Sequence, residues 1–360
     1  MRNGKLPDLY SDDLISAFGS TTATGLSALL NGEISHDQIQ RFLARQAQTS
    51  ADLWQIAKPH VRQMESEDSV VIVDDGIAEK PYTDENDIAC WHQDHAQQRA
   101  VKSINFVSCL YHSQGVSLPV GFELVCKTER YTDPKDGKEK RRADKTRNEM
   151  YRDLLQQAVK NRIPFRYALN DIWFAAAENM NFVKLTLKKE FVMPIKGNRK
   201  VAVSLQAKQQ GRYQRVDTLK LEPMKPVRVY LEGVQFALLL IKQVFTNEDG
   251  SAGIQYLVTS DTTLDGNGIA AIYQKRWNVE PYHTSLKQNA SLEKSPTQTV
   301  TTQTNHFFAA LCGYIQLELL KGNTKLNHFA LKSKLYLHAI HVVYDQLRKL
   351  DPPQLAQLAA

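Results

Sequence analysis

The 360 residues predict an α/β fold: a mixed sheet flanked by helices, with a helical N-terminal segment and a β-rich insertion late in the chain. Three observations carry that expectation. The run Ser69-Val-Val-Ile-Val-Asp74 is short, β-branched and apolar, as a central strand buried on both faces must be. Helical periodicity marks residues 12–46 and returns after 287, but it is nearly absent from 182–260, where short strand-like runs take over. The chain is also too long for one ordinary core, so a main domain carrying a smaller appended or inserted part is expected.

Taken in order, residues 1–66 read as the helical N-terminal segment. Leu14, Ile15 and Phe18, then Leu26, Leu29 and Leu30, then Ile39, Phe42 and Leu43 supply its apolar faces from Asp12 to Gln46. Gly32 can supply the left-handed residue of a helix-turn-helix, and Ser35 the cap of the helix after it. That second helix offers His36, Gln38, Gln40, Arg41 and Arg45 to a nucleic-acid groove or backbone. The alternative is a small bundle that only packs on the main domain.

Residues 67–182 form the first part of the main domain. Three strands, 69–74, 104–111 and 118–125, with Ser113-Gln114-Gly115 as the turn between the last two, predict a meander. Cys90-Trp91-His92-Gln93-Asp94-His95 reads as a polar loop between strands, with a zinc site as its rival, although no second ligand pair lies nearby. The stretch Lys127 to Arg147 holds nine basic and five acidic residues and reads as a solvated loop. Its basic excess, with Arg141, Arg142 and Lys145, can also grip DNA phosphates. A helix over 146–161 and a fourth strand over 165–169, ending in Asn170-Asp171, complete this part.

The insertion, 183–252, holds expected strands at 183–187, 201–205, 218–221, 227–232 and 236–244. The second part of the main domain, 253–322, begins with a strand at 253–259, followed by helices over 268–287 and 301–321; a C-terminal helix lies in 323–360. Three strands, helix, strand, helix, strand, helix is the order of a ribonuclease-H-like domain. There one carboxylate sits on the first strand, a second just after the fourth, and a third on a later helix.

Composition narrows the function classes. Forty-five Lys and Arg against 39 acidic residues give a formal charge of +6 and a pI near 8.9, which suits a polyanionic partner. Cys90, Cys109, Cys126 and Cys312 form no CxxC pair, so neither a disulfide framework nor a cysteine zinc site is indicated. The longest apolar runs are far too short to cross a bilayer, and no membrane partner is expected. A reduced cytosol fits.

The helix expected from Gly268 to Lys287 carries Tyr273, Arg276, Glu280 and Lys287. At about 100° per residue these fall within roughly 60° of arc, so one stripe presents all four. A carboxylate bracketed by an aromatic hydroxyl, a guanidinium and an ammonium suits a group that holds a metal ion beside a phosphodiester. The plain alternative is a solvated face of i,i+4 charge pairs. Pro281, directly after Glu280, predicts a bend there that rotates Lys287 away from the others. Trp91, Trp173 and Trp277 are possible stacking partners for an unpaired base, with core packing as the default for each.

The pattern Tyr-x2-Arg-x3-Glu-x6-Lys resembles the signature of the Tyr-Arg-Glu-Lys class of Asp-Asp-Glu insertion-sequence transposases, and the likeness extends from about Ser69 to Lys321. It implies Asp75 as the first acid, because Asp75-Gly76 aligns with the family's Asp followed by a small residue. Asp74 stays open, since neighbours along a strand face opposite sides. Members commonly carry Thr after this Asp, and Gly76 departs from that. Asp171, 96 residues beyond Asp75, is the second acid, and Glu280, 109 further on, the third.

The resemblance implies metal-dependent cleavage of DNA at the ends of a mobile element, hairpin formation by transesterification, and insertion into a target. Asp75, Asp171 and Glu280 would hold two magnesium ions, with manganese able to substitute. Arg276 would contact terminal phosphates, and Tyr273 and Lys287 the backbone beside the cut. Implied partners are double-stranded DNA, in the form of terminal inverted repeats and target, and a second copy of the protein assembled on it; the implied place is the prokaryotic cytosol, at the nucleoid. A nuclease without strand transfer and an inactive DNA-binding relative are the rival readings.

Overall fold

A computed structural model describes residues 6–94, 98–134, 137–246 and 250–349. Four helices come first: α1 (Leu6–Ser16), α2 (Ala23–Leu29), α3 (His36–Leu43) and α4 (Ser50–Gln63). Asn31 and Gly32 both turn left-handed between α2 and α3, with φ of 51° and 75°, as the glycine predicts. Ser35 then caps α3 reciprocally: its hydroxyl accepts from Gln38 N at 3.3 Å, and Gln38 Oε1 accepts from Ser35 N at 2.8 Å. Tyr10, Leu14, Ile39 and Leu43 are buried, so the segment packs on the main domain. Asn305 fastens it there, donating to Leu43 O and accepting from Gln48 N, each at 2.8 Å.

The sheet is built around β1 (Val70–Glu79), whose first four residues are fully buried as the apolar run predicts. β2 (Ala89–Asp94) follows, then β3 (Arg99–Ser113) and β4 (Val116–Leu124). β1, β3 and β4 make the expected meander. The polar-loop expectation for residues 90–95 is corrected: β2 pairs with β3 along 99–104, and Cys90 and His92 are buried by it. Alternation was hidden because the inward residues are themselves a thiol and an imidazole. The solvated-loop reading of 127–147 is also corrected, since β5 (Glu129–Thr132) and β6 (Glu139–Arg142) form a separate hairpin. Its like charges are spread out by cross-strand ion pairs such as Arg130–Glu139 at 3.0 Å.

Thr146 caps α5 (Arg147–Lys160), and β7 (Tyr167–Asn170) runs parallel to β1. After α6 (Ala177–Asn181) come β8 (Glu190–Ile195), β9 (Lys200–Ala202), α7 (Leu205–Gln209), β10 (Gln214–Arg215), β11 (Val227–Leu231), β12 (Leu238–Thr246) and β13 (Ala252–Thr259). Two expected strands are not strands. Residues Phe182–Thr186 continue α6 as a π-helical turn, with Val183 and Leu187 buried one turn apart, a spacing that a short apolar run cannot distinguish from a strand. At 218–221 the chain instead leaves a 3-10 turn, Val216–Thr218.

Among the described residues the order is β10-β9-β11-β12-β13-β8-β7-β1-β3-β2, with β4 also on β3. The inner set β4-β3-β1-β7-β8 has three antiparallel and two parallel members, which is the ribonuclease-H-like arrangement. The β-rich segment continues this sheet beyond β8.

Four helices close the fold: α8 (Gly266–Gln274), α9 (Val279–Gln288), α10 (Val300–Thr324) and α11 (His328–Leu347). α4 and α5 cover one sheet face, where Gly121 admits Leu154 and Ser50. α9 and α10 cover the other, where Phe307 packs on Phe106 and Phe122. The helix expected from 268 to 287 is not continuous. A 3-10 turn, Lys275–Asn278, separates α8 from α9, so the break precedes Glu280 and does not lie at Pro281. Pro281 sits in the first turn of α9, where its missing N–H is tolerated.

Candidate active site

Parallel pairing brings two acids together. Val73 of β1 lies beside Asn170 of β7, so the next residues, Asp74 and Asp171, emerge side by side where the pairing ends. Asp171 stays there by capping the short turn Ile172–Phe174, accepting from Trp173 N at 2.9 Å. Asp74 is opposite Ser108 and Gly76 opposite Phe106, which places both on the face covered by α9 and α10. Asp75 points to the α5 face, where Arg147 holds it at 2.7 Å.

Asp74, Asp171, Tyr273, Arg276 and Glu280 line one cavity of about 660 Å³. Lys196, just past the end of β8, also lines it and lies 4.8 Å over the Trp173 ring. The helix break keeps three signature residues on this cavity. Arg276 lies 5.8 Å from the rings of both Tyr273 and Trp277, and its Nη1 donates to Glu280 Oε1 at 3.4 Å. Its buried Nε has no hydrogen-bond partner.

The electrostatics are those of crowded acids. Burial raises the Asp74 carboxyl well above its ordinary range, and the charges of Asp171 and Asp75 add to this against the opposing Arg276. Burial likewise lifts Asp171 to about 6, helped by Asp75 and opposed by N–H donors of Trp173 and Phe174. Tyr273 is pushed up to about 12 by burial. Behind them burial holds His283 down at about 4, so it is a neutral packing partner of Phe106.

The other sequence candidates lie elsewhere. Lys287 pairs with Glu293 at 3.3 Å and does not line the cavity. Arg141 bridges Glu85 and Asp87, Arg142 pairs with Glu129, and Lys145 holds Glu123 and Asp153. Arg41 donates to Asp37 O on the exposed side of α3, and Arg45 lines a separate apolar cavity with Phe42 and Phe308. Cys90 Sγ and His92 Nε2 are 3.7 Å apart, while His95 lies outside the described residues. Sequence reasoning missed Lys196, and it read Arg147 only as part of the basic excess of 127–147, without its pairing to Asp75. The signal for Lys196 was its place at the C-terminal end of a parallel strand, where α/β sites gather; the insertion reading hid it.

The donor set fits a hard divalent cation. Two neighbouring carboxylates, both lifted by burial and with the charge of Asp171 raising Asp74 further, offer the oxygen ligands magnesium prefers, and it needs few from the protein. As they stand, no three His, Cys, Asp or Glu side chains among the described residues are gathered closely enough to hold a metal ion. Glu280, half exposed, is turned toward Arg276.

The family model for a DDE superfamily endonuclease matches residues 5–227. Among solved structures, a Drosophila P element transposase strand transfer complex aligns at 12% identity and a TM-score of 0.23, over 51% of this chain and 37% of that one. Endonuclease V of Bacillus subtilis aligns at 11% and 0.24, over 63% and 82%. The chain thus spans little more than a third of the transposase chain, and the fold assignment rests on sheet order. No curated protein matches the sequence.

Proposed function

Because the chain belongs to the DDE superfamily endonuclease family, we propose that it is a DNA transposase: it cuts DNA at element ends and joins the freed strand to a target. The observation that carries this reading is the single cavity shared by Asp74, Asp171, Tyr273, Arg276 and Glu280. Asp171, Glu280 and one member of the Asp74–Asp75 pair would hold the divalent ions, Glu280 turning from Arg276 to do so. Asp74 is favoured over Asp75, because it lines the cavity while Arg147 occupies Asp75.

Divalent ions bound there would neutralise charge on the scissile phosphate and help generate the nucleophile. The protein's own part is to bind and orient. Asp74 and Asp171, rigidly set by adjacent strand ends, fix the ligand positions. Arg276, with the rings of Tyr273 and Trp277 beside it, lines the cavity and brings its guanidinium to a phosphate oxygen there. Lys196 supplies a second cation to the cavity. Arg141, Arg142 and Lys145, with Arg41 and Arg45 on the helical segment, would follow the duplex backbone on either side, and two copies would bring two ends together.

The test is magnesium- or manganese-dependent nicking and strand joining on a duplex bearing the element's terminal repeats. Asp74→Asn, Asp171→Asn and Glu280→Gln should each lose more than the roughly 100-fold typical of residues that only support a metal ligand. Asp75→Asn should lose less than Asp74→Asn. Unchanged nicking in Asp171→Asn would remove the proposal, and nicking without joined products would leave an endonuclease that does no strand transfer.

A further inference from the structure

The β5–β6 hairpin and the edge of β2 enclose a second cleft, of about 750 Å³, outside the acidic cavity. We infer that this cleft binds an unpaired stretch of a DNA strand, with Trp91 as the stacking platform for a base and the surrounding cations as its phosphate grip. The inference rests on the reading that the protein acts on DNA and extends it to a site of its own.

Trp91 is the central observation. It projects from β2 beside the buried Cys90 and His92, yet 57% of it is exposed. A large ring left in solvent at a cleft wall keeps apolar surface in water, and a stacked base covers it. Its backbone is tied down, because Lys127 Nζ donates to Trp91 O at 2.7 Å.

Charge supplies the other half. Among the described residues five cations line the cleft against two carboxylates, Glu85 and Glu139. Arg141 is largely buried and bridges Glu85 at 3.7 Å and Asp87 at 2.8 Å, locking the hairpin to the segment before β2. The cleft is thereby preformed. Tyr131, which the Arg142 guanidinium overhangs at 5.8 Å, gives a second, partly exposed ring on the hairpin side. A rigid double helix buries its base faces in its own stack, so a lone ring at a cleft wall suits a strand whose bases are free.

The cleft lies on the Asp75 side of the sheet. The charges of Lys127 and Arg147 both act on buried His92, and Arg147 is the partner of Asp75.

The experiment measures anisotropy of a fluorescein-labelled oligothymidylate, and of a duplex of equal length, on the full chain with EDTA present so that nothing is cut. Trp91→Ala should weaken single-strand binding about tenfold or more, as loss of one stacked base does, and change duplex binding less than twofold. Trp91→Phe should retain most of the affinity and serves as the folded control, with circular dichroism on both variants. Arg130→Gln should flatten the salt dependence of single-strand binding, whereas Trp91→Ala should leave its slope unchanged. Equal single-strand affinity in Trp91→Ala and wild type, or an equal loss for both DNAs, overturns the inference while the acidic site stands. Wild-type protein that binds neither DNA overturns both.

Discussion

Gly76 stands next to the paired aspartates, and packing explains why it carries no side chain. A Cβ at this position would lie 2.5 Å from Phe106 Cζ and 3.0 Å from Cε2. The ring cannot retreat, because Phe307 lies 4.8 Å and His283 5.6 Å from it, centroid to centroid. Gly76→Ala should therefore cost about 1–3 kcal/mol, read as a lower urea midpoint at unchanged slope, and Phe106→Leu in the same chain should recover part of the loss. A Gly76→Ala protein as stable as wild type would show that Phe106 does not set this residue. The neighbouring ambiguity has a related cause. Sequence delivered both Asp74 and Asp75, but the phase of alternation is fixed only when β3 pairs with β1 and α9 chooses a face, and no single residue announces that choice.

Elements were legible to the extent that their signals were local. The buried run of β1, the capping boxes of α3 and α5 and the meander turn after Ser113 are all written within a few residues of where they act. Less local features were not. The break at Lys275–Asn278 lies in a sequence with full helical periodicity, and the hairpin of 129–142 is held by cross-strand charges that look like a solvated run. The docking of α11 is equally non-local. His328 Nδ1 lies 2.7 Å from Ser285 Oγ on α9, and its Nε2 2.8 Å from Glu318 Oε2 on α10. Glu318 also accepts from Ser117 N at the start of β4 and from Lys321. Only His328 and Leu331 of α11 are buried, so this network anchors its start, while the Tyr336 hydroxyl, donating to Ile15 O and Ser16 O, ties its middle to α1. His328→Ala should cost about 1–3 kcal/mol by stripping partners from buried Ser285 and Glu318, and limited proteolysis should cut faster between α10 and α11. Unchanged cleavage kinetics would mean that Leu331 and the contacts of Tyr336 with the end of α1 hold the helix without it.

At the scale of the molecule, the family likeness and the folding unit do not coincide. The matched span ends at residue 227, yet β8 within it is completed by β13, and β11 by β12, both from beyond that point. The same later part supplies Tyr273, Arg276 and Glu280 to the cavity and α9 and α10 to one face of the sheet. A chain ending at 227 would leave β8 with an open, hydrophobic edge and strip the cover from Phe106 and Phe122, exposing apolar surface that costs about 25 cal/mol per Å². Residues 1–227 expressed alone should thus show no cooperative thermal transition and should bind a hydrophobic dye. Adding 228–360 as a separate chain should restore a transition if the two halves of the sheet can still pair. A sharp, dye-free melt for 1–227 would show instead that the inner five strands fold unaided, with the later strands and helices as an addition to a finished core.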